Sequence, residues 1–179
     1  MLDKLLATKE DFTAFRDISA NIKDSKIDIF IRESQLIEVR NFLGPQLYKL
    51  LLDDYDEQTK TFTSPIYNSL WNGSSYTTSE GKEEIFNGLI NALIYFTYSR
   101  FILQQQMNVS RFGLESIQDT ISEDTPAGAV RTKAKEALSV ALVYQRDAEK
   151  FIESNKTDYP TYATKTTKAK KTSFNFFKL

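Results

Sequence analysis

The stretch from Ile27 to Leu52 reads IDIFIRESQLIEVRNFLGPQLYKLLL, and its apolar side chains recur at the spacing of a helix face. The apolar face before Gly44 consists of Ile27, Phe30, Ile31 and Ile37, with Leu36, Val39 and Leu43 beside it. The inward positions after Pro45 are Leu47, Leu50 and Leu51. This pattern predicts one helix over about residues 25–42 and a second helix from Pro45 to about Asp54.

The dipeptide Gly44-Pro45 predicts that the two helices meet with almost no loop between them. Glycine tolerates the positive φ angle that follows the end of a helix. Proline lacks a backbone N–H, but the first turn of a helix leaves that donor unused in any case. We therefore expect a rigid helical hairpin that packs against the rest of the chain.

The composition excludes most catalytic chemistry. The chain has 179 residues, 41% of them hydrophobic, and its 13 Phe and 9 Tyr suit one domain with a compact core. It has no cysteine and no histidine, so disulfides, thiolate nucleophiles, histidine bases and the usual zinc sites are impossible. Lysines and carboxylates remain, but none of them converge in the sequence. We therefore expect no enzyme and no cofactor.

One acidic cluster could in principle hold a divalent cation. It consists of Asp53, Asp54, Asp56 and Glu57, directly after the second predicted helix. The cluster lacks the glycine and the spacing of a calcium-binding loop. A solvated helix end is the favoured interpretation, and no metal site is predicted.

A short helix and a long terminal helix are predicted on either side of the centre of the chain. Residues 55–64 are polar and predict a loop, after which Ser64-Pro65 opens the short helix that ends at Asn72-Gly73. The last helix extends from Pro126 to about Ser154. Its apolar stripe is Val130, Ala134, Ala137, Leu138, Ala141, Leu142, Ala148 and Phe151.

A long helix from Ser79 or Glu80 to about Gln106 is predicted at the centre of the fold, because it is apolar nearly all round. Glu83 and Glu84 would then lie in its first turn, where carboxylates favour the positive end of the helix dipole. Arg100 lies in its apolar stretch. This residue is a candidate for an anion contact or an intersubunit ion pair; alternatively, its stem packs on the core and its head is paired or solvated.

The fold predicted from these elements is all-α. We expect a compact bundle of about four to five helices with a long buried central helix, a projecting loop and an extended C-terminal tail. Residues 1–24 predict either a short helix or an arm packed on the body. The predicted division is a helical domain over residues 1–162 and a tail over residues 163–179.

The segment over residues 107–125 mixes a glycine with scattered Ser, Asp and Glu. It predicts a long connection that projects from the body, and connections of this length are often functional. The candidate contact residues in it are Arg111, Phe112 and Gly113.

The tail combines positive charge with aromatic residues. Residues 156–179 hold six Lys and one Asp, whereas residues 1–155 hold 17 basic and 23 acidic residues, a net charge of −6. Docking on a partner protein, folding back on the body, disorder and contact with nucleic-acid phosphates all remain open. An extended end with alternating Phe could also add a strand to a partner's sheet. The candidate residues are Lys165, Lys168, Lys170, Lys171, Phe174, Phe176 and Phe177.

No segment predicts a membrane or export function. The first ten residues lack an apolar run long enough for a signal peptide, because charges interrupt it. The most apolar stretch, residues 89–103, falls short of the roughly 20 residues that span a bilayer.

A series of short motifs resembles those of the head–tail connector (adaptor, neck-ring) proteins of tailed phages, including crAss-like phages. That family usually shows an acidic residue, a small residue and Gln, followed by Leu-Gly-x-x-Leu-Tyr. The motifs cover most of residues 27–162. In order they are Phe30-Ile-Arg-Glu-Ser-Gln35, Phe42-Leu-Gly-Pro-Gln-Leu-Tyr48, Leu50-Leu-Leu52, Asn72-Gly73, Gly88-Leu89, Ala92-Leu-x-Tyr-Phe-x-Tyr-x-Arg-Phe101, Phe112-Gly113 and Tyr159-Pro-x-Tyr162.

The resemblance implies a structural virion protein in the neck, at the junction of head and tail. It implies a helical fold that assembles as a homo-oligomeric ring, commonly of twelve copies. Such a ring docks beneath the portal protein, continues the channel for genomic DNA without binding a particular sequence, and presents a platform for the next neck or tail component. The tail matches no motif of the family, so its role is inferred from composition alone.

Two other classes of function remain open. The chain could be a helical adaptor or regulator unrelated to virions that binds a protein partner through its basic and aromatic tail. It could also bind nucleic acid through the lysines of the tail, in which case binding would weaken with salt.

Overall fold

Helices make up most of the structure, a computed structural model that describes residues 4–15, 22–105, 107–110, 113–116 and 127–162. The helices are α1 (Lys9–Phe15), α2 (Asp24–Ser34), α3 (Arg40–Asp54), α4 (Pro65–Asn72), α5 (Leu89–Gln105) and α6 (Ala127–Ser154), with a π-helical turn at Gln35–Val39. The strands pair antiparallel as β1 (Tyr55–Asp56) with β2 (Thr61–Phe62), β3 (Ser74–Thr77) with β4 (Glu83–Phe86), and β5 (Met107–Ser110) with β6 (Gly113–Ser116). The prediction of a mainly helical chain is confirmed, but the expectation of a chain without strands is wrong.

The junction at Gly44 has the predicted form. Gly44 has φ 78° and ψ 158° and interrupts α3, and the helix resumes from Pro45. A Cβ atom at this position would meet no atom within 4 Å, so the requirement for glycine comes from the backbone angle and not from crowding.

The π-helical turn corrects the predicted apolar face. Ile37 is 47% exposed, although a regular helix would place it on the buried face with Ile27 and Phe30. The wider turn adds a residue between α2 and α3, as the bond from the Arg40 N–H to the Gln35 carbonyl shows. The residues after Ser34 are therefore rotated relative to α2, and Gln35 is buried while Ile37 faces outward.

Helix α5 forms the centre of the fold, between α2 and α6. Phe101 packs edge-on against Phe30 of α2, with ring centres 5.9 Å apart. On another side of α5, the Ser99 hydroxyl donates to the Ala134 carbonyl of α6 at 2.9 Å. The prediction of a central helix is thus confirmed over residues 89–105, and burial extends through Phe101.

The predicted start of this helix is wrong by about ten residues. Residues 74–86 form the β3–β4 hairpin, with Ser74 opposite Phe86 and Thr77 opposite Glu83. Glu83 and Glu84 therefore lie on a strand and do not cap a helix.

Two glycines explain why α5 begins late. A Cβ atom on Gly73 would lie 2.4 Å from the Phe86 carbonyl oxygen, and one on Gly88 would lie 2.4 Å from the Trp71 carbonyl oxygen. Both residues have positive φ angles, 96° and 92°. The backbone at Gly73 therefore packs directly against the backbone at Gly88. This close contact ends β4, and α5 starts only after it.

The N-terminal segment is both an arm and a short helix. The side-chain amide of Gln35 is buried, and its Oε1 accepts a hydrogen bond from the Leu6 N–H at 2.9 Å. Its Nε2 donates to the Lys4 carbonyl at 2.8 Å and to the Tyr48 hydroxyl at 2.9 Å. Residues 4–8 are therefore held on the body, and α1 follows with Phe12 buried.

The end of α6 lies close to the predicted boundary, and the alanines of its predicted stripe are buried. Leu138 and Leu142, assigned to the same stripe, are each 40% exposed. They lie at the edge of the helix face, about 100° of rotation from Ala137 and Ala141. The predicted apolar stripe therefore wrongly included these two leucines.

Candidate functional site

Arg100 forms ion pairs within the chain. Its Nη2 donates to Glu38 Oε1, and its Nη1 lies 3.7 Å from Glu33 Oε2. The guanidinium thus joins α5 to both α2 and the π-helical turn. The three side chains together hold two carboxylates and one cation, which leaves a net charge of −1.

Glu38 has one unused acceptor. Its Oε2 is buried and has no hydrogen-bond partner among the described residues. An unpaired buried carboxylate oxygen is costly, so this position favours a further donor. The π-helical turn places Glu38 beside Arg100, and such turns often occur at functional sites.

Exposed apolar side chains lie within one helical turn of Glu33 and Arg100 along α2, the π-helical turn and α5. Ile29 and Ile37 are 56% and 47% exposed, and Leu103 is 44% exposed. Ile29 lies one turn before Glu33 and Ile37 one turn after it, while Leu103 follows Arg100 by three positions and shares its side of α5. We call this surface the α2 strip; it consists of Ile29, Glu33, Ile37, Arg100 and Leu103.

A second exposed surface lies on α6. Leu138 and Leu142 lie one turn apart, and the cations nearest to them on the same side are Arg131, Lys135 and Arg146. At 3.6 residues per turn, the five positions fall within roughly a quarter of the helix circumference. All five are exposed. We call this surface the α6 strip.

Two shallow clefts flank Tyr76 on β3. One has a volume of about 280 Å³ and is lined by residues of α4, β3 and the end of α6, including Pro65, Ser75 and Tyr159. The other, of about 420 Å³, lies between the β3–β4 turn and the end of α6. Burial and the hydrogen bond to Glu84 raise the pKa of Tyr76 to about 12, so its hydroxyl is a donor and not a base.

The acidic cluster after α3 is engaged in local contacts. Asp54 accepts the Ser64 N–H at 3.0 Å, Asp56 accepts the Gln58 N–H at 2.8 Å, and Asp53 pairs with Lys49. Among the described residues, no three acidic side chains are grouped closely enough to hold a metal ion. Asp54 and Asp56 therefore stabilise the β1–β2 hairpin and its approach to α4, whereas the Asp53 pair lies on the surface of α3.

Of the predicted contact residues, the structure places Arg100 and Gly113. Gly113 begins β6 and lies opposite Ser110, so part of the predicted projecting loop is a paired hairpin. Arg111 and Phe112 lie outside the described residues. So do the tail residues Lys165, Lys168, Lys170, Lys171, Phe174, Phe176 and Phe177.

Sequence reasoning missed the partners of Arg100. Glu33 was quoted only as part of a motif, and Glu38 was not singled out. Their spacing of five residues does not suit one face of a regular helix, so only the π-helical turn brings both to Arg100. The exposure of Ile29 was predictable from the sequence, because this residue lies off the predicted apolar face.

Comparison with known proteins gives a family but no function. No curated protein and no solved structure matches the chain significantly. In the described part of the chain, no helix is both long and apolar enough to cross a membrane. Residues 39–172, about three quarters of the sequence, match a family of unknown function, DUF6712. The chain therefore belongs to the DUF6712 family.

Proposed function

We propose that this protein is a head–tail connector (adaptor) subunit of a tailed phage. In this proposal the helices form a bundle that serves as the wall of a homo-oligomeric ring, commonly of twelve copies. The ring lies beneath the portal protein in the virion neck, continues the channel for genomic DNA and receives the next neck or tail component.

One observation supports this function most: the α2 strip and the α6 strip expose apolar side chains on helices that pack on different sides of α5. A ring subunit needs two different surfaces, since each copy contacts one neighbour on each side. Exposed apolar groups around an arginine are typical of protein interfaces. The ordered motifs that resemble connector proteins support the same function.

Charge and chemistry agree with a structural role. Residues 1–155 hold a net charge of −6, which suits a channel that lets DNA slide, since like charge opposes phosphate binding. Hydroxyls and carboxylates line the two clefts at Tyr76, and the larger cleft also has Lys150 and Lys156. Arg100 already has partners in its own chain, and its predicted contact with a neighbour would be an additional one.

Mass photometry of the purified protein, with and without the portal protein of the same genome, tests the proposal. We expect rings, or ring-sized complexes on the portal at micromolar protein. A strict monomer that ignores the portal would overturn it. Deletion of residues 163–179 distinguishes the connector from the adaptor alternative. If the shortened protein loses all partner binding but virions still assemble, a function outside the virion is favoured.

A further inference from the structure

We propose that the α2 strip of one copy docks on the α6 strip of the next copy. The inference rests on the proposed ring and names the surfaces that would build it. The contact is head-to-tail, because the two strips differ and lie on helices separated by α5.

The apolar parts of the two strips are compatible. Ile29 and Ile37 form two exposed apolar positions with Glu33 between them. Leu138 and Leu142 form an adjacent exposed pair on a straight helix. The leucine pair can pack against Ile29 and Ile37, as ridges of one helix pack into grooves of another, which leaves Glu33 to the cations of the α6 strip.

The charges of the two strips are complementary. Glu33, Glu38 and Arg100 leave a net negative charge, and Glu38 Oε2 has no partner among the described residues. The α6 strip offers three cations around its leucines: Arg131, Lys135 and Arg146. A neighbour's cation would pair with Glu33, whose side chain is 40% exposed.

The same charges disfavour symmetric contacts. Two α6 strips facing each other would bring their cations together, and like charges across an interface oppose association. Two α2 strips facing each other would bring together two sites that each carry a net negative charge. Of the three possible contacts, the one between an α2 strip and an α6 strip, which we call the crossed contact, is therefore the most favourable.

The absence of cysteine allows a direct test by disulfide crosslinking. In the double variant Ile37→Cys/Leu142→Cys, mild oxidation of the assembled protein should give a ladder of covalent oligomers on a denaturing gel. A mixture of the two single variants should give dimers only, and each single variant alone should give monomers. The matched control is Ile85→Cys/Leu142→Cys, because Ile85 is 78% exposed but lies outside both strips; it should give no ladder.

A second variant tests the charges without a crosslink. Lys135→Glu should weaken assembly at least tenfold in concentration, and raised salt should weaken the wild-type protein in the same direction. Lys133→Glu makes the same charge change at an exposed position on the other side of α6 and outside the strip, so it should have a smaller effect.

The outcomes separate the inference from the proposed function. If rings form but no ladder appears, and Lys135→Glu assembles as well as the wild-type protein, the contact between the α2 strip and the α6 strip is overturned. The connector proposal then still stands. Dimers from one single variant alone would replace the crossed contact by a symmetric one. A protein that neither forms rings nor crosslinks, with or without portal, would overturn both.

Discussion

The Tyr159 hydroxyl donates a hydrogen bond to the carbonyl oxygen of Ile66, 2.8 Å away and 93 residues earlier in the chain. The Tyr159 side chain is buried, and its ring lies 6.0 Å from that of Phe151. This contact fastens the segment after α6 onto the first turn of α4. The chain at residues 159–162 is thus part of the body, and Tyr159 lines one of the clefts at Tyr76.

Replacement of this tyrosine should lower stability without changing the fold. Tyr159→Phe keeps the ring but removes the donor, so we expect a loss of about 1 kcal/mol in the free energy of unfolding. Urea denaturation followed by circular dichroism measures it. Tyr144→Phe is a suitable control, because that residue is only partly buried on α6; an equal loss there would contradict a specific role for the bond to Ile66.

The stability of the fold should fall at alkaline pH. Burial raises the pKa of Tyr159, and burial with nearby carboxylates raises the pKa values of Tyr76 and Tyr162 to about 12. The folded state therefore holds these phenol protons more tightly than the unfolded state, whose tyrosines titrate near 10. The stability is fully present below pH 10 and is lost as pH rises from 10 to 12.

Denaturant midpoints measured between pH 8 and pH 11.5 check this dependence. Tyr159→Phe should flatten the alkaline decline, because it removes one of the raised groups. A flat profile for the wild-type protein up to pH 11.5 would show that these hydroxyls ionise equally easily in both states.

The buried amide of Gln35 should be essential for docking of the N-terminal arm. Gln35→Leu leaves the Leu6 N–H, the Lys4 carbonyl and the Tyr48 hydroxyl without their partner. We expect a loss of at least about 2 kcal/mol, since each unpaired buried group costs about 1–3 kcal/mol. Hydrogen exchange at residues 4–8 should accelerate, whereas the exposed Gln46→Leu should leave both measurements nearly unchanged.

Glycine substitutions should have opposite effects at two positions. Gly88→Ala places a methyl group against backbone atoms of Trp71 and Asn72 at a φ angle of 92°, so we expect severe destabilisation or failure to fold. Gly128→Ala places the same group in open space on α6 and should stabilise by up to about 1 kcal/mol. Thermal melts of the two variants compare them directly; similar melting temperatures would contradict the close contact at Gly88.

The ion pair at Arg100 should show measurable coupling in the monomer. Arg100→Gln leaves Glu38 partly buried without its cation, and we expect a loss of about 1–3 kcal/mol. Glu38→Gln in the same chain should restore part of it, with a coupling of about 1 kcal/mol in a double-mutant cycle. If Arg100→Gln leaves unfolding unchanged but weakens ring assembly, the residue acts between subunits and not within one.

Several elements were predictable because their signals are local. The Ser64 side chain accepts a hydrogen bond from the Ile66 N–H and so caps the start of α4. Gly44 and Pro45 mark the interruption of α3. Both signals depend only on residues close together in the sequence. The hairpin at residues 74–86 was not predictable in this way. Its apolar residues Ile85 and Phe86 continue the helical spacing of α5, and only the close contact of Gly73 and Gly88 separates them from it.

By itself, the sequence determined a mainly helical chain, the absence of cysteine and histidine chemistry, and the positions of most helix ends. These properties depend on residue type and on neighbours within one or two helical turns. The tertiary structure alone decided that a π-helical turn rotates Ile37 outward and brings Glu33 and Glu38 to Arg100. It also decided that Leu138 and Leu142 stay exposed, because the rest of the fold covers only the side of α6 that carries Ala134, Ala137 and Ala141.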